Sequence, residues 1–495
     1  MSLQNTTLES YFSKFKKQII GDDLTHNFDN QVRPVIYADW TASGRLYAPI
    51  EDYISNTLGP YVANTHTEAT LTGTTMTLAY HEAQQTIKKH VNASENDVLI
   101  MDGSGMTGVV NKFQRILGLR IPERFKDNAF ENEDDKPLVI VTHMEHHSNQ
   151  TSWLACEVTL EILNADVDGL PSLTHLGELL TKYKSRKMKI GAFSACSNVT
   201  GIVTNYYQMA ELMHQHQGLC FVDFAASAPY LNINMHPANP LQELDAIFFS
   251  PHKFLGGPGA SGALIFNKSL YNNEVPDNPG GGTVLWTNPW GEHKFFDNIE
   301  VREDGGTPGF LQCIRTALAI KLKEAMGVEK MANREKQLTQ ILMNGFDSID
   351  NLMMLETHQR HRLTIVSFYM TDIHHNLVVR LLNDKFGIQT RGGCSCAGTY
   401  GHILLGVTKE TSNEISDKIN QGDLTDKPGW IRVSLHPTTS DSEAEFIVQA
   451  MKEIVANHQT WALDYQFNSS NGEFEPKYRS EQYVGLDGFD ACPVD

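Results

Sequence analysis

The sequence predicts an α/β protein in two parts: a three-layer α/β/α large domain on a mostly parallel sheet, then a smaller α+β C-terminal domain. Three observations carry this. Six short apolar runs, at 98–101, 138–141, 190–193, 219–222, 246–249 and 263–266, are nearly continuous rather than alternating, which suits strands covered on both faces. Between them, apolar residues such as Val109, Val110, Phe113, Ile116 and Leu117, or Met209, Leu212 and Met213, keep helical spacing. After about residue 310 the text changes to a long helical stretch over 312–346, a strand-like run at 364–369, another at 430–434 and a helix over 442–458.

The resulting division places an N-terminal segment at 1–45, packing with the small domain, a large domain at 46–310, the small domain at 311–465 and a tail from 466 to 495. A chain of 495 residues is long enough for two or three domains. The polar, acidic stretch 123–136 reads as an exposed insertion, and the text from Asn468 onward carries little core signal.

Forty Lys and Arg against 59 Asp and Glu give a formal charge of −19, which argues against a nucleic-acid partner. A local site for a small anion stays open, because such sites use backbone N–H groups and a few side chains. No apolar run approaches the roughly 20 residues of a membrane span, and residues 1–20 do not read as a signal peptide. Seven scattered cysteines do not suggest a disulfide framework, so a reducing cytoplasm is expected. Cys156, Cys196, Cys220 and Cys313 sit among apolar or small residues and read as buried.

Ligands of open α/β sheets gather at the carboxyl ends of strands, so the residues just past each apolar run are informative. The first run leads into Asp102-Gly103-Ser104-Gly105-Met106-Thr107, a small-residue turn opening a helix that suits a phosphate. The second leads into Thr142-His143-Met144-Glu145-His146-His147-Ser148-Asn149. Its histidines lack the spacing of a zinc site, and an imidazole stacked on a flat ligand fits better; no metal is expected. The third leads to Asn198, and the fourth ends at Asp223, placed to pair with a protonated pyridine nitrogen. Past the run at 246–249 stands Ser250-Pro251-His252-Lys253. A lysine withdrawn from water there has a lowered pKa and an amine free for carbonyl chemistry.

This ordered set resembles the class V aminotransferase superfamily of fold-type I pyridoxal phosphate (PLP) enzymes, and most of all its cysteine desulfurase and selenocysteine lyase branch. Gly305-Gly306-Thr307-Pro308, Arg391-Gly392-Gly393-Cys394-Ser395-Cys396-Ala397 and Ile431-Arg432-Val433-Ser434 complete the likeness, which runs from about residue 35 to 455. The resemblance implies that Lys253 holds PLP as an aldimine and then moves the substrate's α-proton. It implies that His146 stacks on the ring, Asp223 pairs with its nitrogen and Asn198 reaches its hydroxyl. Met106 (through its backbone), Thr107, Ser250 and His252 would hold the phosphate, with Thr307 donated by the partner of a homodimer. Arg432 would clamp the carboxylate of a small amino-acid substrate. The branch usually has Gln where this chain has Ala226, and Ser227 comes next.

Alignment within the family loop puts Cys396 at the nucleophile position, where it would become a persulfide and pass sulfur to an acceptor such as a sulfur-acceptor protein. Cys394 is a rival nucleophile or a resolving thiol, and Arg391 and His402 stand near enough in sequence to act on a thiol. The implied reaction is carbon–sulfur (or selenium) cleavage of L-cysteine or a relative. An aminotransferase, epimerase or other lyase with an incidental Cys loop is the alternative.

Overall fold

A computed structural model describes residues 7–490 apart from 29–30, 66, 129, 131 and 478–483. Cys492 lies outside these residues. The large sheet has seven strands: β1 (Asp97–Asp102), β2 (Leu138–Val141), β3 (Thr159–Ile162), β4 (Lys189–Ser194), β5 (Leu219–Asp223), β6 (Ala246–Phe249) and β7 (Gly262–Asn267). Their order is β1-β7-β6-β5-β4-β2-β3. β7 runs antiparallel to both neighbours, and the other pairings are parallel. Strand β3 was absent from the predicted set.

Successive residues of a strand bury on opposite faces, and two cores result. Leu99, Ile247, Phe249 and Ile265 join one, with the helices α1 (Leu71–His90) and, farther along the chain, Phe310–Met326. Val98, Ile100, Phe248, Leu264 and Phe266 join the other, with α2 (Gly105–Ile116) and α3 (His147–Leu154). Phe113 of α2 anchors the second core, its ring 4.9–5.9 Å from those of Phe221, Phe248 and Phe266.

The helical stretch predicted over 312–346 is two helices, α4 (Phe310–Met326) and α5 (Val328–Asp347), parted by Gly327 at φ +79°. Beyond them lies a second sheet of β8 (Leu352–Met354), β9 (Ile365–Met370), β10 (Arg391–Gly393) and β11 (Trp430–Ser434), in the order β8-β9-β11-β10. Helices α6 (His375–Phe386) and α7 (Asp441–Trp461) cover it; α7 opens with a capping box between Ser440 and Glu443. The tail folds back as a hairpin, β12 (Tyr465–Asn468) with β13 (Glu473–Pro476), whose Phe467 and Phe474 pack around His374. Residues 36–37 pair with 388–389, and Asp39 bridges to Ser434, so the N-terminal segment is stitched to this second sheet. Among the described residues no helix is long and apolar enough to cross a membrane.

Candidate active site

The carboxyl ends of β1, β2, β4, β5 and β6 meet the edge of the second sheet around a cavity of about 190 Å³. Of the residues predicted for the site, Met106, Thr107, His146, Asn198, Asp223, Ser250, His252, Lys253, Cys396 and Arg432 all line it. Thr307 does not: it is exposed in the connection between Glu303 and Phe310 of its own chain. Ser227 is fully buried outside the lining, whereas Ala225 and Ala226 face the cavity without a side-chain donor.

One end is a cradle. Helix α2 starts at Gly105, whose φ of +65° is a left-handed conformation that glycine adopts without strain. A Cβ there would stand 2.9 Å from Ser250 Oγ, so only glycine lets the turn approach. Met106 N–H donates to Ser250 Oγ at 2.8 Å, and Thr107 Oγ1 lies 2.6 Å from Ser148 Oγ. Hydroxyls and an imidazole converge here on the positive end of a twelve-residue helix, a donor set suited to a phosphate.

At the other end Asp223 is buried and accepts the N–H of Ala225 at 2.7 Å. Burial pushes its carboxyl up to about 6 despite that bond and nearby Lys253. A cation set against it would restore the charge. Burial and the Lys253 ammonium hold His146 down at about 3, so its ring is neutral. Its Nδ1 accepts the N–H of Ser148 at 3.1 Å, which leaves the proton on Nε2. Beneath it, buried Glu145 takes bonds from Thr142, Ser194 and Asn149, and burial raises its pKa to about 7.

Lys253 sits in a short turn held from outside by the N-terminal segment: Gly44 N–H donates to His252 O at 2.9 Å. Withdrawal from water lowers its pKa to about 8, with Arg432 and Arg391 adding to the fall and Asp223 opposing it. A lysine so placed is largely an available amine only slightly above neutral pH. Arg432 is 2% exposed. One of its nitrogens donates to Asp39 Oδ1 at 2.6 Å and another to Asn198 O at 3.1 Å, while Nε has no partner. Directly opposite on β10 stands Arg391, which also lines the cavity.

The cysteine loop is held by its carbonyls. Asn198 Nδ2 donates to Ser395 O at 2.7 Å, and His147 N–H donates to Cys396 O at 2.8 Å. His147 Nε2 in turn accepts the N–H of Gly398 at 2.8 Å. Ser395 and Cys396 take φ of +48° and +57°, strained values for side-chain-bearing residues that commonly mark functional loops. The thiol of Cys396 is left exposed, while Cys394 packs half-buried beside Ala397, Tyr400 and Trp430. His402 is turned away, its ring bonded to Gly398 O and Ser412 Oγ. Cys394 does not line the 190 Å³ cavity, so on the resemblance's assignment of Cys396 as nucleophile, Cys394→Ala is expected to leave sulfur capture within about twofold of wild type. Mass spectrometry after one turnover with L-cysteine reads this directly, and loss of the captured sulfur would reverse the two cysteines' roles.

Some members of the site carry no sequence signal that singles them out. Thr41 and Ala42 line the cavity, and Asp39 orients Arg432. Cys196 is buried as expected, and it also lines the cavity, which was not expected. The loop-anchoring duty of His147 was missed too, although adjacency to His146 was an available signal.

The donor set fits PLP. A phosphate cradle and a buried carboxylate flank a lysine amine and a neutral ring, and the buried Asn198 Oδ1 lacks a partner in this structure. Comparison with known proteins gives the family. A family model described as aminotransferase class-V matches residues 36–446. The chain is 28% identical over 374 residues to a probable cysteine desulfurase of Halalkalibacterium halodurans, covering 74% of this chain and 84% of that one. A probable cysteine desulfurase of Staphylococcus epidermidis is 28% identical over 367 residues, 73% of this chain and 83% of the relative. Among solved structures, the apo cysteine desulfurase of Thermococcus onnurineus NA1 shares the fold with a TM-score of 0.71 at 21% identity, covering 90% of this chain and 98% of that one. The cysteine desulfurase CsdA of Escherichia coli does so with a TM-score of 0.69 at 20% identity and the same coverage.

Proposed function

We propose that this chain, which belongs to the class-V aminotransferase family, is a PLP enzyme that takes sulfur, or selenium, from L-cysteine or a related small amino acid and leaves alanine. The observation that carries the reading is the meeting of Lys253, Asp223, the 104–107 cradle and Cys396 around one cavity. When bound, the cofactor supplies an electron sink for the pair left on the substrate's α-carbon.

The chain's own residues do the rest. Thr107, Ser250, His252 and the Met106 amide hold the phosphate; Asp223 holds the ring nitrogen, and neutral His146 lies against the ring face. Asn198 reaches the ring hydroxyl, which gives its unpaired Oδ1 a partner. Lys253 holds the cofactor and, once released by the incoming amino acid, removes the proton from Cα. Arg432, its plane fixed by Asp39 and Asn198, orients the substrate carboxylate with Arg391 as a second cation. The Cys396 thiolate then attacks the substrate sulfur. A new S–S bond forms, the C–S bond breaks, and alanine leaves after protonation.

In the assembly we propose, a homodimer, Thr307 completes the phosphate site of the partner subunit. An amino acid is the substrate, the sulfur goes on to an acceptor, and the compartment is a reducing one such as the cytoplasm.

The test is a single turnover of the purified holoenzyme with L-cysteine, with alanine and Cys396-bound sulfur both measured. Alanine and bound sulfur in equal amounts are expected. A keto acid, racemised substrate or pyruvate in place of alanine would instead identify an aminotransferase, epimerase or other lyase with an incidental Cys loop.

The lowered pKa of Lys253 also fixes how the apoprotein takes up PLP, because only the free amine reacts. The uptake rate is expected to rise about tenfold per pH unit until about pH 8 and then level off. A rate still climbing toward the ordinary lysine value of 10.5 would show that the lysine is not withdrawn from water.

A further inference from the structure

A second cavity of about 250 Å³ adjoins the first across the cysteine loop, and the two share Arg391, Ser395 and Cys396 as walls. Cys394 lines only this outer cavity. Its far wall is the hairpin turn Asn471, Gly472 and Glu473, which lies beyond the residues matched by the family model. That wall is built into the fold: Asn376 Nδ2 donates to Gly472 O at 2.7 Å, and Leu424 N–H donates to Ser469 O at 2.8 Å. Exposed Cys396 therefore borders both a chamber that suits the cofactor and another that the C-terminal hairpin helps to wall.

The outer chamber has an electrostatic character of its own. Arg391 and Lys427 both line it, and no carboxylate among the described residues pairs with either. The histidines facing it, His374 and His375, are neutral: burial lowers both, His375 to about 3. Glu473 is the one carboxylate in the lining among the described residues, and partial withdrawal from water raises its pKa, with Arg380 opposing. Two unpaired cations in the lining favour an anion. The volume is below that of most drug-sized sites, which suits a molecule of a few heavy atoms.

We infer that this chamber binds a small thiol carrying a carboxylate, and that this thiol is the immediate acceptor of the sulfur held on Cys396. The inference rests on the persulfide reading above. Arg391 and Lys427 hold the carboxylate, which aims the acceptor's thiolate at the outer sulfur of the Cys396 persulfide. A new S–S bond forms between acceptor and outer sulfur, the enzyme's S–S bond breaks, and Cys396 leaves as a thiolate. The acceptor thiol's proton is returned to Cys396, so atoms and electrons balance without an added oxidant or reductant.

The experiment uses the holoenzyme with L-cysteine and compares 3-mercaptopropionate (anionic) with cysteamine (cationic) as acceptors. The readouts are the persulfidated acceptor and the acceptor KM. Alanine released in one turnover without acceptor is measured separately. The expected result is saturation by 3-mercaptopropionate with a KM at least about tenfold below that of cysteamine. Lys427→Ala is expected to raise the 3-mercaptopropionate KM about five- to tenfold, and Glu473→Gln to lower it, with cysteamine responding little or in the opposite sense. Lys427 and Glu473 are exposed, and circular dichroism is to check that their variants fold. Equal KM values for the two probes, indifference to Lys427→Ala, or transfer only to a cysteine-bearing protein would each overturn the inference. No alanine from the wild type would instead overturn the desulfurase reading itself.

Discussion

Lys253→Ala is expected to abolish turnover, lowering alanine release from L-cysteine by about 10⁴-fold or more, because in the proposed function one group both holds the cofactor and moves the α-proton. The absorbance band of lysine-bound cofactor is expected to vanish, with PLP washing out on gel filtration. A primary amine such as methylamine should restore part of the proton transfer. Firm cofactor retention with an unchanged spectrum would refute the assignment. The same variant carries a stability signature. The folded-state pKa of Lys253, about 8, lies below its ordinary 10.5, so between these values the unfolded chain binds more protons than the folded one. Apoprotein stability therefore rises with pH across that window through this lysine, and the rise should disappear in Lys253→Ala. Chemical denaturation of the two apoproteins at pH values bracketing the window makes the comparison.

Cys396→Ala is expected to have the second-largest effect. Alanine release falls by roughly 10³-fold or more, as when a reacting group is removed from a concerted set, while cofactor binding and the spectral response to L-cysteine persist. The fold is not expected to suffer, because the loop is held through the carbonyls of Ser395 and Cys396 rather than through the thiol. Sulfur found on Cys394 in this variant, with alanine release intact, would move the nucleophile by two residues.

The large-domain half of this site was legible because its groups follow strands whose apolar text is unmistakable; Arg432, inside β11, and Cys396, past β10, were read from the resemblance. Strands covered on both faces read as apolar runs, and their last residues are where small, acidic or basic side chains first become possible: Asp223 after Val222, Ser250 and Lys253 after Phe249. β3 was illegible because it lies at the sheet's edge, where Glu161 pairs with Lys182 and breaks the run. The reversed direction of β7 left no trace, since a strand buried on both faces has the same composition whichever way it runs. The break at Gly327 was visible as a glycine within helical text, yet an isolated glycine there is as often tolerated as obeyed. The tail hid a hairpin because Phe467 and Phe474 reach His374 across 93 and 100 residues of sequence. Asp39, Thr41 and Ala42 were invisible for the same reason: their chemistry depends on the company that the fold brings to them.

One strand pairing sets two like charges side by side at the edge of the cavity. In the antiparallel register of β10 with β11, Arg391 stands directly opposite Arg432, and like charges placed so repel. Asp39 compensates Arg432 alone. On the proposed function, a substrate carboxylate between the two guanidinium groups would relieve that repulsion on the three-residue strand that leads into the cysteine loop. The arrival of an amino acid would then do more than fill a clamp. It would cement the short edge strand, and with it the approach of the loop that carries the attacking thiol, so that the nucleophile is steadiest when there is something to attack.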